Sequence, residues 1–394
     1  MPTSVSTGAS SQSDSRLAAE EATKEALSGL SSETASVGFL FAGPNHDLGA
    51  ALSAAKNTAK GVDLIGSTTA GEFTEKGLIH SGLVVLLVGS DDLTHQTSFA
   101  TGMKAQSNDV ASKLCSGFES LRTEAMDRQQ RYSTTVLLTD GLSGTGEQTV
   151  DEVVRRTGGL QQVVGGAAGD EGSFDATWVG NGEGAAKDAA AALHVFGAKA
   201  WGIGVGHGLK PASEKMRVTK VDGNVVYEID GKPAFEAYKK HAKDRGVDLD
   251  PSNASAYLIG NELGLYFFDE VKKARAPLSV GADGSLTCAA SIPERASVCI
   301  LDGEPESMVS AAREAAREAK AGLNGDGAAG VLVFDCVCRG MILKDQFQKE
   351  IDGIRSELGD VPVAGFLTYG EIARYRGKLD GWHNTTAVVV AIPA

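Results

Sequence analysis

The chain has 394 residues, 42% of them hydrophobic, and a formal net charge of −14. That length buries a full core and exceeds one ordinary domain, so two domains are expected. The negative charge and the lack of any clustered Lys/Arg stripe exclude a nucleic-acid backbone as partner. No apolar run reaches the roughly 18 residues of a membrane helix, and residues 1–14 are polar with no signal-peptide core, so no membrane partner and a cytoplasmic location are expected.

The first 13 residues are rich in Ser, Thr and Gly and read as disordered, followed by a short accessory helix over 15–30 carrying Leu17, Ala18, Ala22 and Leu27. A β-like run, Val37-Gly38-Phe39-Leu40-Phe41, then leads through a helix at about 47–60 to the phrase Ser67-Thr68-Thr69-Ala70-Gly71-Glu72 and the run Leu83-Val84-Val85-Leu86-Leu87-Val88. Val110, Leu114, Phe118 and Leu121 fall on one helical face and read as core contacts. The same order returns from Thr135-Val136-Leu137-Leu138 to Gly166-Ala167-Ala168-Gly169-Asp170. It returns again from Val331-Leu332-Val333-Phe334 to Leu367-Thr368-Tyr369-Gly370-Glu371. Each spacing supplies the crossover of a dozen or so residues that joins two parallel strands. One Gly-acid pair is an ordinary turn; three in one register are an internal repeat.

Two further helices precede and fill the last copy. Met308, Ala312, Ala315, Ala319 and Leu323 make a narrow stripe over 305–323, and Phe347, Ile351, Ile354 and Leu358 stop at Gly359 and Pro362. A division falls near 222–235, where Asp222-Gly223-Asn224 is a turn and Asp230-Gly231-Lys232-Pro233 leads into a helix over 234–241. The expected plan is a leader over 1–30, an N-terminal domain over 31–228 and a C-terminal domain over 229–394. The fold class is α/β, with mixed sheets built from repeated β-α-β units and appended antiparallel strands.

The five cysteines are Cys115, Cys288, Cys299, Cys336 and Cys338, an odd and scattered set that argues against a disulfide framework. Cys336 and Cys338 have no second Cys or His pair to complete a zinc site, so no metal is expected. Neither a P-loop nor a G-x-G-x-x-G opening a helix occurs, because Gly202-x-Gly204-x-Gly206 lies in a strand-like run, and no nucleotide cofactor is expected.

Seven stretches in order over 31–394 resemble the FIST proteins, with an N-terminal and a C-terminal FIST domain. They are Ile65-Gly66-Ser67-Thr68-Thr69-Ala70-Gly71-Glu72, Val164-Gly165-Gly166-Ala167-Ala168-Gly169-Asp170, Gly206-His207-Gly208-Leu209-Lys210-Pro211, Val218-Thr219-Lys220, Tyr227-Glu228-Ile229-Asp230-Gly231-Lys232-Pro233-Ala234, Gly365-Phe366-Leu367-Thr368-Tyr369-Gly370-Glu371 and His383-Asn384-Thr385-Thr386. The resemblance implies a sensory module of intracellular signalling that binds a small ligand, an amino acid being the class suggested, and signals through a separate protein partner. One departure is Val337-Cys338-Arg339-Gly340, where the family pattern has a small residue and this chain has a second thiol, which pairs with Cys336 under oxidation or substitutes for it.

Ligands of α/β folds sit outside the carboxyl ends of parallel strands. In the last copy those ends are Cys336-Val337-Cys338-Arg339 and Thr368-Tyr369-Gly370-Glu371, which a β-α-β unit brings side by side. Arg339 suits a carboxylate, Glu371 an ammonium and Tyr369 an aromatic wall; the competing reading is an Arg339–Glu371 ion pair. His383 and Asn384 enter the final strand, either as a turn or as pocket residues. His207 sits in a Gly-flanked loop. In the first domain Thr68, Thr69 and Glu72, with Gly165 and Gly166 at the matching place, form a second pocket or the turns of a symmetric scaffold. Two alternatives stand beside the sensor: a thiol enzyme using Cys336 with His383 and Glu371, and a non-catalytic interaction scaffold.

Overall fold

The computed structural model describes residues 3–32, 34–159, 161–375 and 381–394. Three six-stranded sheets share one strand plan. The first runs Ser4–Ser10, Leu83–Gly89, Val37–Ala42, Asp63–Thr68 and the second Leu93–Thr101, Ala189–Gly197, Tyr132–Thr139, Gln162–Ala167; the third runs Gly202–Gly206, Ala387–Pro393, Ala328–Cys336, Val363–Thr368. In each, the last two strands named are parallel and the others antiparallel. The crossovers include the helices Leu48–Thr58, Gly146–Arg156 and Phe347–Leu358, so the expected α/β architecture of β-α-β units with antiparallel strands is what the chain adopts. The inner strands are buried throughout their length, as Leu83–Gly89 and Ala387–Pro393 show, which is why they read as unbroken apolar runs.

Each sheet is completed by a hairpin that belongs to another unit. Val179–Asn181 with Gly184–Ala186, from the second unit, closes the first sheet. Glu371–Arg374 with Trp382–His383, from the third, closes the second sheet, and Glu72–Thr74 with Gly77–Ile79, from the first, closes the third. The exchange is cyclic, a closed head-to-tail ring within one chain.

The recurring phrase is the crossing point of that exchange. Ala70 N donates to Leu367 O (2.9 Å) and Leu367 N to Gly71 O (2.7 Å); Gly169 N donates to Thr68 O (3.0 Å) and Ala167 N to Gly370 O (2.8 Å). A Cβ on Gly169 would lie 2.6 Å from Ala70 N, closer than any side chain allows. The small residue and the Gly therefore recur because three segments of the chain pass through one narrow hub. The three sheets turn their inner faces to one core, where Phe41 meets Phe366 at 4.6 Å and Phe334 meets Phe366 at 5.7 Å between ring centroids.

The chain leaves the third sheet after Gly206 and returns to its packing helix Pro305–Gly322 by way of a nine-stranded sheet. This excursion has its own core around Phe235, Tyr238, Leu286 and Ile300. The turn expected over 222–224 joins Met216–Asp222 to Val225–Ile229 within it.

The leader differs from expectation. Ser4–Ser10 is an edge strand paired with Leu83–Gly89, and Ser15–Gly29 packs on it through Ala18, Ala22 and Ala26, with Leu17 left exposed. Polar composition hid a strand whose Ser6, Gly8 and Ser10 are small enough to lie beneath an alanine face, while Val5 on the other face enters the central core. The helix expected over Val110 to Leu121 is two helices, Met103–Leu114 and Phe118–Asp127, broken at Gly117 with φ +85°.

Candidate functional site

A cavity of about 680 Å³ opens beyond the carboxyl ends of Tyr132–Thr139 and Ala328–Cys336. Cys336, Cys338 and Asn384 lie along one side, Tyr369, Phe174 and Trp382 supply aromatic walls, and Gly146 and Glu147 begin a helix at its flank. The nine-stranded sheet and its helices roof it with Asn224, Ile259, Ala276, Pro277, Leu278 and Ser291. Trp382 fits a slot made by two glycines: a Cβ on Gly146 or on Gly370 would stand 2.3 Å from its ring.

The roof is tied to the second unit by one carboxylate. Glu147 accepts from the buried Arg275 (Nη2 to Oε1, 3.2 Å) and from Ser291 N (3.2 Å) and Ser291 Oγ. Arg275 also donates through Nε to Ser291 O at 3.0 Å. Phe174 stacks on Tyr369 at 4.8 Å, and the Tyr369 hydroxyl donates to Asp170. Burial opposes charge on Asp170, but that hydroxyl and the N–H groups of Ala176, Asp175 and Phe174 outweigh it and hold the carboxyl below its ordinary range.

Asn384 is presented by a strained turn. Thr385, a β-branched residue, sits at φ +56°. Two fully buried acids pin it in place: Glu262, from the roof, accepts from Thr385 Oγ1, and Glu371 accepts from Thr386 N (3.0 Å) and Oγ1 (2.8 Å) and from Thr368 Oγ1 (2.6 Å). Burial pushes Glu262 up to about 8 and Glu371 up to about 7, against the lowering effect of their hydroxyl partners. Two polar atoms of cavity-lining side chains, Asn384 Oδ1 and Trp382 Nε1, are buried with no partner among the described residues, as is Glu262 Oε2.

Of the residues singled out from the sequence, Cys336, Tyr369 and Asn384 line this cavity. Thr368 and Glu371 lie behind it and hold the turn. Arg339 is fully buried beside it, but its guanidinium faces Glu350 (2.6 Å), Asp335 (2.8 Å) and the carbonyls of His207 (2.8 Å) and Met308 (3.1 Å). Burial would lower Arg339; Glu350 and Asp335 reverse this and hold it charged. Arg339 and Glu371 are therefore not the pair that the sequence suggested as an alternative.

The His383 imidazole donates from Nε2 to Ala373 O at 3.1 Å. His207 is half-buried, its Nδ1 accepting from Leu209 N, and burial with Arg339 nearby takes its pKa down to about 4. Thr68 Oγ1 accepts from Trp178 N, Thr69 Oγ1 donates to Glu72, Glu72 accepts from Gly82 N (2.6 Å), and Gly165 and Gly166 pair with Ile372 and Glu371. This first-domain set forms turns and ladder of the exchange hub. Sequence reasoning passed over Trp382, Glu147, Phe174 and Glu262. The strand-end rule, applied to Thr139 as it was to Cys336, points to the loop that opens the helix at Gly146 and Glu147; nothing local marks Glu262.

Among the described residues no group of three or more His, Cys, Asp or Glu side chains is placed to hold a metal ion, and no helix is long and apolar enough to cross a membrane. Over 185 residues the chain is 29% identical to an uncharacterized protein of Methanocaldococcus jannaschii; the match takes in 45% of this chain and 34% of that protein, so the chain spans about a third of that relative's length. FIST domains are associated with sensory roles in signal transduction. The FIST N domain matches residues 36–232 and the FIST C domain residues 234–374, and the chain belongs to the FIST family.

Proposed function

We propose that this chain is a sensory module that binds a small amphipathic ligand of the amino-acid class in the roofed cavity and passes the signal to a separate protein partner. The observation that carries the reading is the pairing of apolar walls with two unpartnered polar atoms, Asn384 Oδ1 and Trp382 Nε1. A buried polar atom without a partner costs about 1–3 kcal/mol. An ammonium on Asn384 Oδ1 and a carboxylate on Trp382 Nε1 remove that cost, while an apolar side chain lies against Phe174, Tyr369 and Leu278. Small-molecule sites span roughly 300–1,000 Å³ with a few convergent polar groups, and the cavity of about 680 Å³ falls within that range.

The roof gives the reading a route to output. A ligand contacting both Asn384 and the roof changes how firmly the nine-stranded sheet is held, and ligand binding then alters the surface a partner meets. The thiol-enzyme alternative has less support. Burial disfavours the standing Cys336 thiolate that a hydrolytic nucleophile needs, and the His383 imidazole donates to Ala373 O.

Isothermal titration against the amino acids tests the proposal. Binding by one or more with a large apolar side chain, lost in Asn384→Ala at unchanged melting temperature, is the expected result. Absence of binding across the set, or unchanged affinity in Asn384→Ala, overturns it.

A further inference from the structure

Of the five cysteines, only Cys336 and Cys338 line the cavity, and both are reduced. Cys336 ends its strand in an extended conformation (φ −69°, ψ 138°) and the chain turns at once into Val337–Leu343, so both thiols face the same space. Cys336 packs with Cys338 in one small buried cluster, and Glu371 is near enough to act electrostatically on the Cys336 thiol. Ala276 of the roof packs against the pair, and Met341 leaves an apolar approach to it from the cavity mouth.

We propose that Cys336 and Cys338 form a dithiol–disulfide couple that reacts with low-molecular-mass disulfides entering the cavity. The Cys338 sulfur, the more exposed of the two, attacks one sulfur of the reagent R–S–S–R. The reagent's S–S bond breaks, a mixed disulfide forms on Cys338, and the first R–S⁻ leaves with the Cys338 proton. The Cys336 sulfur then attacks the Cys338 sulfur. Its proton passes to Glu371 and on to the second R–S⁻, which leaves as R–SH. Two cysteine thiols are oxidised, one disulfide is reduced to two thiols, and no other oxidant is needed.

The surroundings disfavour a charged sulfur and leave both neutral end states open. Burial, with Cys338, Glu371 and Glu262 adding to it, disfavours a standing Cys336 thiolate. The dithiol and the disulfide are both uncharged, and both escape that penalty. The couple therefore stays a dithiol until a disulfide reaches it, and then closes to a neutral product that stiffens the segment facing Asn384. The inference does not rest on the amino-acid reading, since the reaction needs only the two thiols, Glu371 and access to the cavity.

The test is incubation of the folded full chain with oxidised glutathione, followed by alkylation and peptide mass mapping. Expected is a peptide containing Cys336 and Cys338 that has lost two hydrogens and resists alkylation until reduced, with no glutathione retained. Cys336→Ser should instead trap glutathione on Cys338, roughly tenfold above the wild type, because the resolving sulfur is gone. Cys338→Ser should take up little. The wild-type map decides the matter even if a variant fails to fold. If both thiols remain open to alkylation while the half-buried Cys115 becomes modified, or if wild-type Cys338 keeps its adduct, the proposal is overturned.

Discussion

Glu72 and Glu371 occupy equivalent places in the first and third units, and what surrounds them differs. Each accepts from a threonine three residues earlier and from the N–H that opens the last strand of its unit, Gly82 for one and Thr386 for the other. Each of those strands is preceded by a residue at positive φ, Ser81 at +54° and Thr385 at +56°. In the first unit the turn is held by Glu171 at the surface and carries the exposed His80. In the third it is held by the buried Glu262 of the roof and carries Asn384 into the cavity. What the units share is architecture; the candidate site lies where the third unit departs from the first.

The largest effect expected tests the shared part. Gly169→Val puts a branched side chain where even a Cβ would lie 2.6 Å from Ala70 N, in the hub through which all three units cross. Overpacking in a place with no room to move exceeds the usual 1–3 kcal/mol, and the variant should fail to give soluble folded protein. A folded Gly169→Val, by circular dichroism and a cooperative melt, would show that the hub does not hold the units together.

The next separates the two turns. Glu262→Ala removes a fully buried partner of Thr385 and leaves a void, which should cost about 2–4 kcal/mol. Glu171→Ala removes an acid at the surface and should cost about 0.5 kcal/mol or less. Urea denaturation of both variants measures the contrast. Equal losses would remove the distinction drawn between a turn braced for a ligand and one that only closes a hairpin.

The acids also predict a pH dependence. Burial raises Glu72 to about 8, Glu262 to about 8 and Glu371 to about 7. A folded-state pKa above the unfolded value means that the folded protein binds more protons between the two. Stability from these groups is therefore complete below about pH 4.5 and is lost as pH rises toward 7 to 8. Glu72→Gln and Glu371→Gln should each flatten part of that decline, by on the order of 1–3 kcal/mol between pH 5 and 8. A slope untouched by either replacement would mean that both acids are charged in the fold at neutral pH.

Much of this was readable because the inner strands are buried on both faces and the crossovers keep a helical period, so Val331 to Phe334 and Phe347 to Leu358 declare themselves. The hairpin exchange was not, since Glu72–Thr74 is too short to state which sheet it joins. Tyr369 and Cys336 followed from the strand-end rule, whereas Asn384 was read only as a residue entering the final strand, in a turn or in the pocket. Arg339 was assigned toward the same space, although Asp335 four residues earlier offered it a partner at helical spacing. Glu350 then completed an ion cluster that turns the guanidinium away. Glu262 depends on the roof docking against the third unit, a contact that no local pattern encodes.

The smallest effect on stability is the most informative about function. Asn384 Oδ1 has no partner among the described residues, so Asn384→Ala removes an unsatisfied acceptor rather than a bond, and its stability should lie within about 1 kcal/mol of the wild type. His80→Ala, at the equivalent place in the first unit, should be as mild because that side chain is exposed. The two should part company only when an amino acid is titrated: His80→Ala should bind as the wild type does, and Asn384→Ala should bind at least tenfold more weakly, roughly 1.4 kcal/mol. Equal affinity in the two variants would show that the strain and the buried acids at Thr385 serve the fold alone. A loss confined to Asn384→Ala would mean that one copy of a common turn has kept an acceptor open for a molecule that the equivalent turn of the first unit never meets.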